Sequence, residues 1–259
     1  MPDNESGTGT LGKALDVLQA VASSPHPPRF TDLLQLVDQP RGTLHRQISN
    51  LIEEGLLSVR QDHSYELGVT LLKLASRAWA GNQFRTVAEP HLRRLHEQTG
   101  ETVHLGVLKG VEVIYLDKVE SRQVVRMHSQ IGNASPVYCT GVGKAALAAM
   151  TDAARDRLIS AIAFHRHTEN TLPDERTLRA EIGEIQRTGI AFDRQEHEPG
   201  IHCIAAPIHS RDHEFVAGIS TTAPAYRISM QQLIEWTPLV QAVARAIMDD
   251  MTVRLGPKS

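Results

Sequence analysis

The sequence predicts an α+β chain of two parts, an N-terminal winged helix-turn-helix and a larger α/β domain, and three observations carry that expectation. Apolar residues recur at helical spacing three times before Gly55. Two strand-like segments around a polar turn follow at once. Beyond Gly100, alternating apolar residues mix with further helical patterns.

Leu11, Ala14, Leu15, Leu18, Val21 and Ala22 define the first amphipathic helix, which Ser23-Ser24-Pro25-His26-Pro27-Pro28 breaks. Thr31 is placed as the N-cap of a short helix bearing Leu33, Leu34, Leu36 and Val37. Asp38-Gln39-Pro40 turns the chain into a third helix, with Leu44, Ile48, Leu51 and Ile52 on one face and Gly55 at its end. Residues 56–59 and 64–67 flank Arg60-Gln61-Asp62-His63 as a hairpin, the wing.

A helix over 69–79 leads to Ala80-Gly81-Asn82-Gln83, the expected hinge. The expected division is therefore 10–70 for the winged helix, 71–84 for linker helix and hinge, and 85–252 for the second domain. Within it Glu89-Pro90 opens a helix ending at Gly100, and strands at 103–107 and 111–116 flank Lys109-Gly110. Helices are expected at about 143–163, 175–188 and 229–251, with strands at 190–192, 203–208 and 215–220, giving an antiparallel sheet. No internal repeat or low-complexity segment is present.

At 259 residues and 41% hydrophobic content the chain can fill two modest cores. No apolar run approaches the roughly 18 residues that cross a bilayer, and the first ten residues lack a hydrophobic signal core, so a cytoplasmic protein without membrane partners is expected. Cys139 and Cys203 are then free thiols. The net charge of −3 does not suggest nucleic-acid binding, and residues 1–80 carry seven Lys/Arg against nine Asp/Glu. A DNA-binding reading must rest on local arrangement.

The third helix has that arrangement. With Leu44 at zero and about 100° per residue, Ile48, Leu51 and Ile52 share the inward arc. The opposite arc holds Thr43, Arg46, Ser49 and Asn50, with His45 and Gln47 on its shoulders. Residues 40–50 include Arg41 and Arg46 and no acid, while Glu53 and Glu54 sit at the far end. Such a helix suits a major groove, with Arg29 and Arg60 placed to grip phosphates. The plain alternative is a solvated helix face, but it leaves the wing without a role.

Other chemistries fit less well. Gly141-Val142-Gly143-Lys144-Ala145-Ala146 meets the loose G-x-G-x-x-A pattern, but Ala161 to Phe164 lie where an acid should end a strand. A phosphate loop fails at Tyr138 and Ala145, and no G-x-S-x-G elbow occurs. The 13 histidines form no paired ligand spacing, so neither a metal nor a cofactor is expected, and His104 is read as a core or interface residue.

Six segments resemble the IclR family of bacterial transcriptional regulators: Pro-Arg-Gly-Thr-Leu-His-Arg (40–46) with Glu-Glu-Gly-Leu-Leu (53–57), Tyr-Leu-Asp-Lys-Val-Glu-Ser (115–121), Cys-Thr-Gly-Val-Gly-Lys-Ala-Ala-Leu-Ala (139–148), Gly-Ile-His-Cys-Ile-Ala-Ala-Pro-Ile (200–208) and Gly-Ile-Ser-Thr-Thr-Ala-Pro (218–224). They occur in the family's order over about residues 10–250. Residues 126–132 and Thr168-Glu169-Asn170-Thr171 look similar to the sugar-acid regulators, such as that of 2-keto-3-deoxygluconate. One departure is Gly42, where the family usually has serine; it weakens the helix start and removes a possible phosphate contact.

The resemblance implies a GAF-like effector domain that binds a small carboxylate, a dimer or dimer of dimers on operator DNA, repression as the usual output, and no enzymatic activity. It also implies a pocket of Met127, Gly141, Val142, Asp193, Ile201, Cys203, Ser220 and Thr222. The chemistry is consistent: a helix opening at Gly141-Val142-Gly143 offers backbone N–H groups to a carboxylate, and Ser220 and Thr222 face one side of a strand. Asp193 could accept from a ligand hydroxyl, favouring hydroxy- or keto-acids, while Met127 and Ile201 give apolar walls. Each has an ordinary alternative: Cys203 as a small buried hydrophobe, Ser220 and Thr222 as plain strand residues, Asp193 paired with Arg194. The rival from another class is an enzyme on a hydroxy- or keto-acid using Asp193 and a histidine, which leaves the winged helix unused.

Overall fold

Leu44 is fully buried where the first three helices meet. The computed structural model describes residues 9–123 and 129–255, in two compact units that divide between Gly81 and Asn82. In the first, α1 (Gly9–Ser23), α2 (Phe30–Leu36) and α3 (Arg41–Glu53) precede the hairpin of β1 (Leu57–Val59) and β2 (Tyr65–Leu67), and α4 (Val69–Ala80) follows. Val17, Leu33, Leu44, Ile48, Leu51 and Leu57 form its core, the apolar faces that periodicity assigned. Thr31 is not the cap of α2. The helix begins at Phe30, two residues earlier than that cap implies, and the Asp32 carboxylate accepts from the Arg29 backbone N–H at 2.8 Å.

The wing is fastened to α4 at Gly68. Its N–H donates to the Leu56 carbonyl at 2.8 Å, and Thr70 N–H donates to the Gly55 carbonyl at 3.2 Å. The backbones of Gly68 and Gly55 lie so close that a Cβ on Gly68 would collide with the Gly55 carbonyl. No residue of α4 is buried, and Val69, Leu72 and Leu74 are exposed.

The second unit runs α5 (Gln83–Thr99), β3 (Thr102–Lys109), β4 (Glu112–Val119), β5 (Ala134–Pro136), α6 (Gly141–Ala149), α7 (Asp152–Ser160), α8 (Glu175–Thr188), β6 (Ala191–Arg194), β7 (Ile201–His209), β8 (Val216–Pro224), α9 (Met230–Glu235) and α10 (Thr237–Leu255). Its sheet has the order β5-β4-β3-β8-β7-β6, antiparallel throughout. Leu105, Ile204 and Ile219 meet Leu92 and Leu95 of α5 and Ile247 of α10 on one face. The other face receives α6, which itself packs on α8. Strand alternation sorts the chain between these faces, so His104, Gly106, Tyr115, Asp193, Cys203, Ser220 and Thr222 all belong to the α6 side.

Several boundaries differ from the sequence expectation. α5 starts at Gln83, because the Asn82 side chain accepts from Arg85 N–H at 2.9 Å; Pro90 therefore lies inside the helix instead of opening it. The expected helix at 143–163 is two helices, broken at Met150, whose ψ of 156° is extended. The final helix is also two, parted at Trp236 just before Pro238, with Ser229 capping α9. β5 is three residues long, too short for alternation to reveal.

Leu44→Ala should destabilise the first unit by about 2–5 kcal/mol, because the surrounding helices cannot close over the void. Urea unfolding of the full chain followed by far-UV circular dichroism tests this; an unchanged transition would remove Leu44 from the centre of the core.

Candidate functional site

In α3 the burial pattern separates two faces. Leu44, Ile48 and Leu51 are buried, whereas Arg41, Gly42, His45, Arg46, Ser49 and Asn50 are exposed and Thr43 is half-buried. Glu53 and Glu54 are exposed at the far end. Gln47 does not join this surface. It is 2% exposed, turned inward, with its amide Nε2 donating to the Thr10 carbonyl at 3.4 Å. At about 60° from Leu44 on the helical wheel it falls within the packed arc once α1 closes over it.

The outward side chains are held in part by their neighbours. The Arg41 guanidinium lies 5.2 Å from the Phe30 ring centroid, and the His45 ring meets Phe30 edge-on at 6.0 Å. Ser49 Oγ donates to the His45 carbonyl at 3.0 Å, which occupies its proton. In the wing, Arg60 pairs with Glu66 at 2.8 Å, both side chains about half exposed. Such a pair is worth under about 1 kcal/mol, so Arg60 can exchange Glu66 for a phosphate. Arg29 is exposed. At Gly42 nothing lies within 4 Å of a Cβ, so a serine there would meet open space.

The second site is the α6 face of the sheet. Thr140 caps α6 by accepting from Gly143 N–H at 3.2 Å and donates to the Pro136 carbonyl at 2.8 Å. A Cβ on Gly141 would strike the Cys203 sulfur, and one on Gly143 would strike Val137, so only glycine lets the helix start lie this deep. Behind it the Lys144 ammonium, 0% exposed, donates to both oxygens of Glu196 at 2.6 Å and to Glu181 at 3.2 Å. Arg194 pairs with Glu181 at 2.9 Å, not with Asp193. Thr168 and Thr171 hold the turn after β6 by donating to the Gln195 and Glu196 carbonyls, each at 2.7 Å.

The pocket residues expected from the sequence converge here. Asp193 opposes Cys203, Cys203 opposes Thr222, and Ser220 lies between Ala205 and His104. Gly141 and Val142 are buried against them and Ile201 is half-buried; Met127 lies outside the described residues. Asp193 is buried, its Oδ1 accepting from Glu196 N–H at 2.7 Å. Burial, aided by the Glu196 carboxylate, pushes its carboxyl up to about 7, against the pull of these N–H bonds and of Lys144. Burial likewise pushes the Cys203 thiol up to about 12, so it faces the pocket as a neutral group.

With both surfaces placed, the comparisons decide the family. The IclR helix-turn-helix domain profile matches residues 10–62, and that of the bacterial transcriptional regulator IclR C-terminal domain matches residues 77–249. The chain belongs to the IclR family. The HTH-type transcriptional regulator BhcR of Paracoccus denitrificans (strain Pd 1222) is 32% identical over 253 residues, 97% of this chain and 90% of that protein. The HTH-type transcriptional regulator KdgR of Escherichia coli (strain K12) is 29% identical over 251 residues, 96% of this chain and 94% of that one, in keeping with the sugar-acid resemblance. The crystal structure of the Thermotoga maritima IclR is 28% identical, with a TM-score of 0.70 over 96% of this chain and 99% of that chain. This IclR-family protein is a transcriptional regulator with a DNA-binding helix-turn-helix, and the enzyme reading falls away.

Beside these residues lies a cavity with lining members that the sequence pattern did not reveal. A cavity of about 40 Å³ is lined by His104, Tyr115, Ser129, His197, Glu198, Ile201 and Thr222. His104 is 3% exposed, and its ring nitrogens meet Ser129 Oγ at 2.7 Å and Thr222 Oγ1 at 3.3 Å. Its place on an alternating strand gives the face, but only the β3–β8 pairing brings it opposite Ser220. Among the described residues no group of three potential metal ligands occurs, and no helix is long and apolar enough to cross a membrane.

The Asp193 shift fixes a pH dependence. The unfolded chain loses this proton near 3.8 and the folded chain near 7, so folding retains a proton between those values. Asp193 therefore withdraws stability as pH rises through that window and withdraws no more above it. Asp193→Asn, which keeps the acceptor for Glu196 N–H, should gain stability over the parent from pH 4 to 7, levelling off at a few kcal/mol or less. A stability difference flat across that range would contradict the burial of this carboxyl.

Proposed function

We propose that this IclR-family regulator is a homodimer, or a dimer of dimers, that represses by binding operator DNA and responds to a small organic acid such as a sugar acid or a keto- or hydroxy-acid. One observation carries the reading: the exposed face of α3 bears Arg41, His45, Arg46, Ser49 and Asn50 and no acid before Glu53. A helix of this kind in the major groove places Thr43, Arg46 and Asn50 at base edges, with Arg29, Arg41 and Arg60 on the flanking phosphates. The net negative charge of the chain is no obstacle, because contacts within about a Debye length decide phosphate binding. Its place of action is the cytoplasm, with the DNA.

Self-association is supported by α4, which packs Leu71 against its unit's core and leaves Val69, Leu72 and Leu74 exposed. Two reading heads then meet inverted half-sites, and an effector acts if it binds the DNA-competent and DNA-incompetent dimers with different affinity. Gly141, Val142, Asp193, Ile201, Cys203, Ser220 and Thr222 form the candidate effector site, and below about pH 7 its aspartic acid and thiol are neutral and add no negative charge beside the carboxylate of a small acid.

The test is fluorescence anisotropy with DNA from upstream of the gene. Arg46→Ala should weaken specific binding by about 1–3 kcal/mol and relax sequence preference. Gly42→Ser should tighten binding modestly by adding a hydroxyl at the helix start. Arg46→Ala binding like the parent would remove α3 from the interface, and an effector titration that never alters binding would remove the sensor.

A further inference from the structure

The cavity beside Thr222 has an unusual charge pattern for a carboxylate-binding site. His104 spans it, its two ring nitrogens bonded to the Ser129 and Thr222 hydroxyls and its ring 4.9 Å from that of Tyr115. Burial, with the nearby Lys118 charge, holds the His104 imidazole down at about 3, so it stays neutral. Burial also keeps His197 below its ordinary value. The Lys118 ammonium is engaged by Glu120 at 2.9 Å and by the Ser129 carbonyl at 2.8 Å and does not line the cavity. The one formal charge among the described lining residues is the Glu198 carboxylate.

A neutral imidazole between two hydroxyls both gives and accepts one hydrogen bond, and each hydroxyl turns to suit. The hydroxyls it orients can therefore donate to a carbonyl or accept from a hydroxyl. One hydroxyl donor is too little to offset the desolvation of a second carboxylate, which Glu198 would also repel. We propose that the end of the pocket built by His104, Tyr115, Ser129 and Thr222 selects effectors with a hydroxyl or carbonyl beside a single carboxylate and rejects a second carboxylate. His104 is the positioning residue for this choice, acting through Thr222 and Ser129. The inference rests on the small-acid sensor reading above and adds which acids the sensor prefers.

Four three-carbon acids separate the two ideas when titrated calorimetrically into the full-length protein: pyruvate, lactate, propionate and malonate. Pyruvate or lactate should bind at least about tenfold tighter than propionate, and malonate no better than propionate. His104→Phe should bring pyruvate and lactate down to the propionate level, read as the ratio of affinities within that one folded variant. His104→Gln, whose amide can meet both hydroxyls, should restore most of the preference. Malonate binding as tightly as pyruvate, no preference over propionate in the parent, a preference that survives His104→Phe, or a folded Gln variant without it would each overturn the inference while leaving the sensor standing. If none of the four acids binds the parent, this inference fails, and the sensor reading fails with it only if a sugar acid such as gluconate also neither binds nor alters operator affinity.

Discussion

The second unit depends on a positive charge with no access to water. Lys144 is carried by α6 into the space between the sheet and α8, where Glu196 takes it in both oxygens and Glu181 adds a third contact. An ammonium in that position is tolerable only while both acids stay in place, and losing one partner of such a pair costs about 3–5 kcal/mol. The ion pair thus fixes the turn after β6 relative to the helix that opens at Gly141. Asp193, Cys203 and the start of α6 inherit their spacing from it.

Around that charge the candidate pocket is built, Glu198 apart, from groups that stay uncharged. The Cys203 thiol, the His104 imidazole and, below neutral pH, the Asp193 carboxyl are all neutralised by burial. The arrangement places the Lys144–Glu196–Glu181 charges behind this surface and adaptable hydrogen-bonding groups on it, with Glu198 at its edge. Glycines at 141 and 143 make this possible, since a side chain at 141 would push α6 off Cys203 of the sheet and one at 143 would strike Val137.

Much of this was legible in the sequence, and the exceptions share a cause. The three helices, the wing and α4 follow from local periodicity and turn chemistry, as does the shared face of Ser220 and Thr222. Gln47 was misplaced because its burial depends on Thr10, a partner 37 residues away. The pairing of Lys144 has no local signature, because Glu181 and Glu196 lie 37 and 52 residues further on. His104 shows its strand but not its neighbours, which the sheet order alone supplies. The split helices at Met150 and Trp236 were missed because apolar spacing runs on through both breaks.

The seam at Gly68 has a mechanical consequence. With the backbones of Gly55 and Gly68 in contact and two hydrogen bonds across them, the chain has no slack between the wing and α4. A twist imposed on α4 is delivered whole to the end of α3 instead of being absorbed at the elbow. The helix and the wing then turn as one piece, and a small rotation of α4 carries the end of α3 with it.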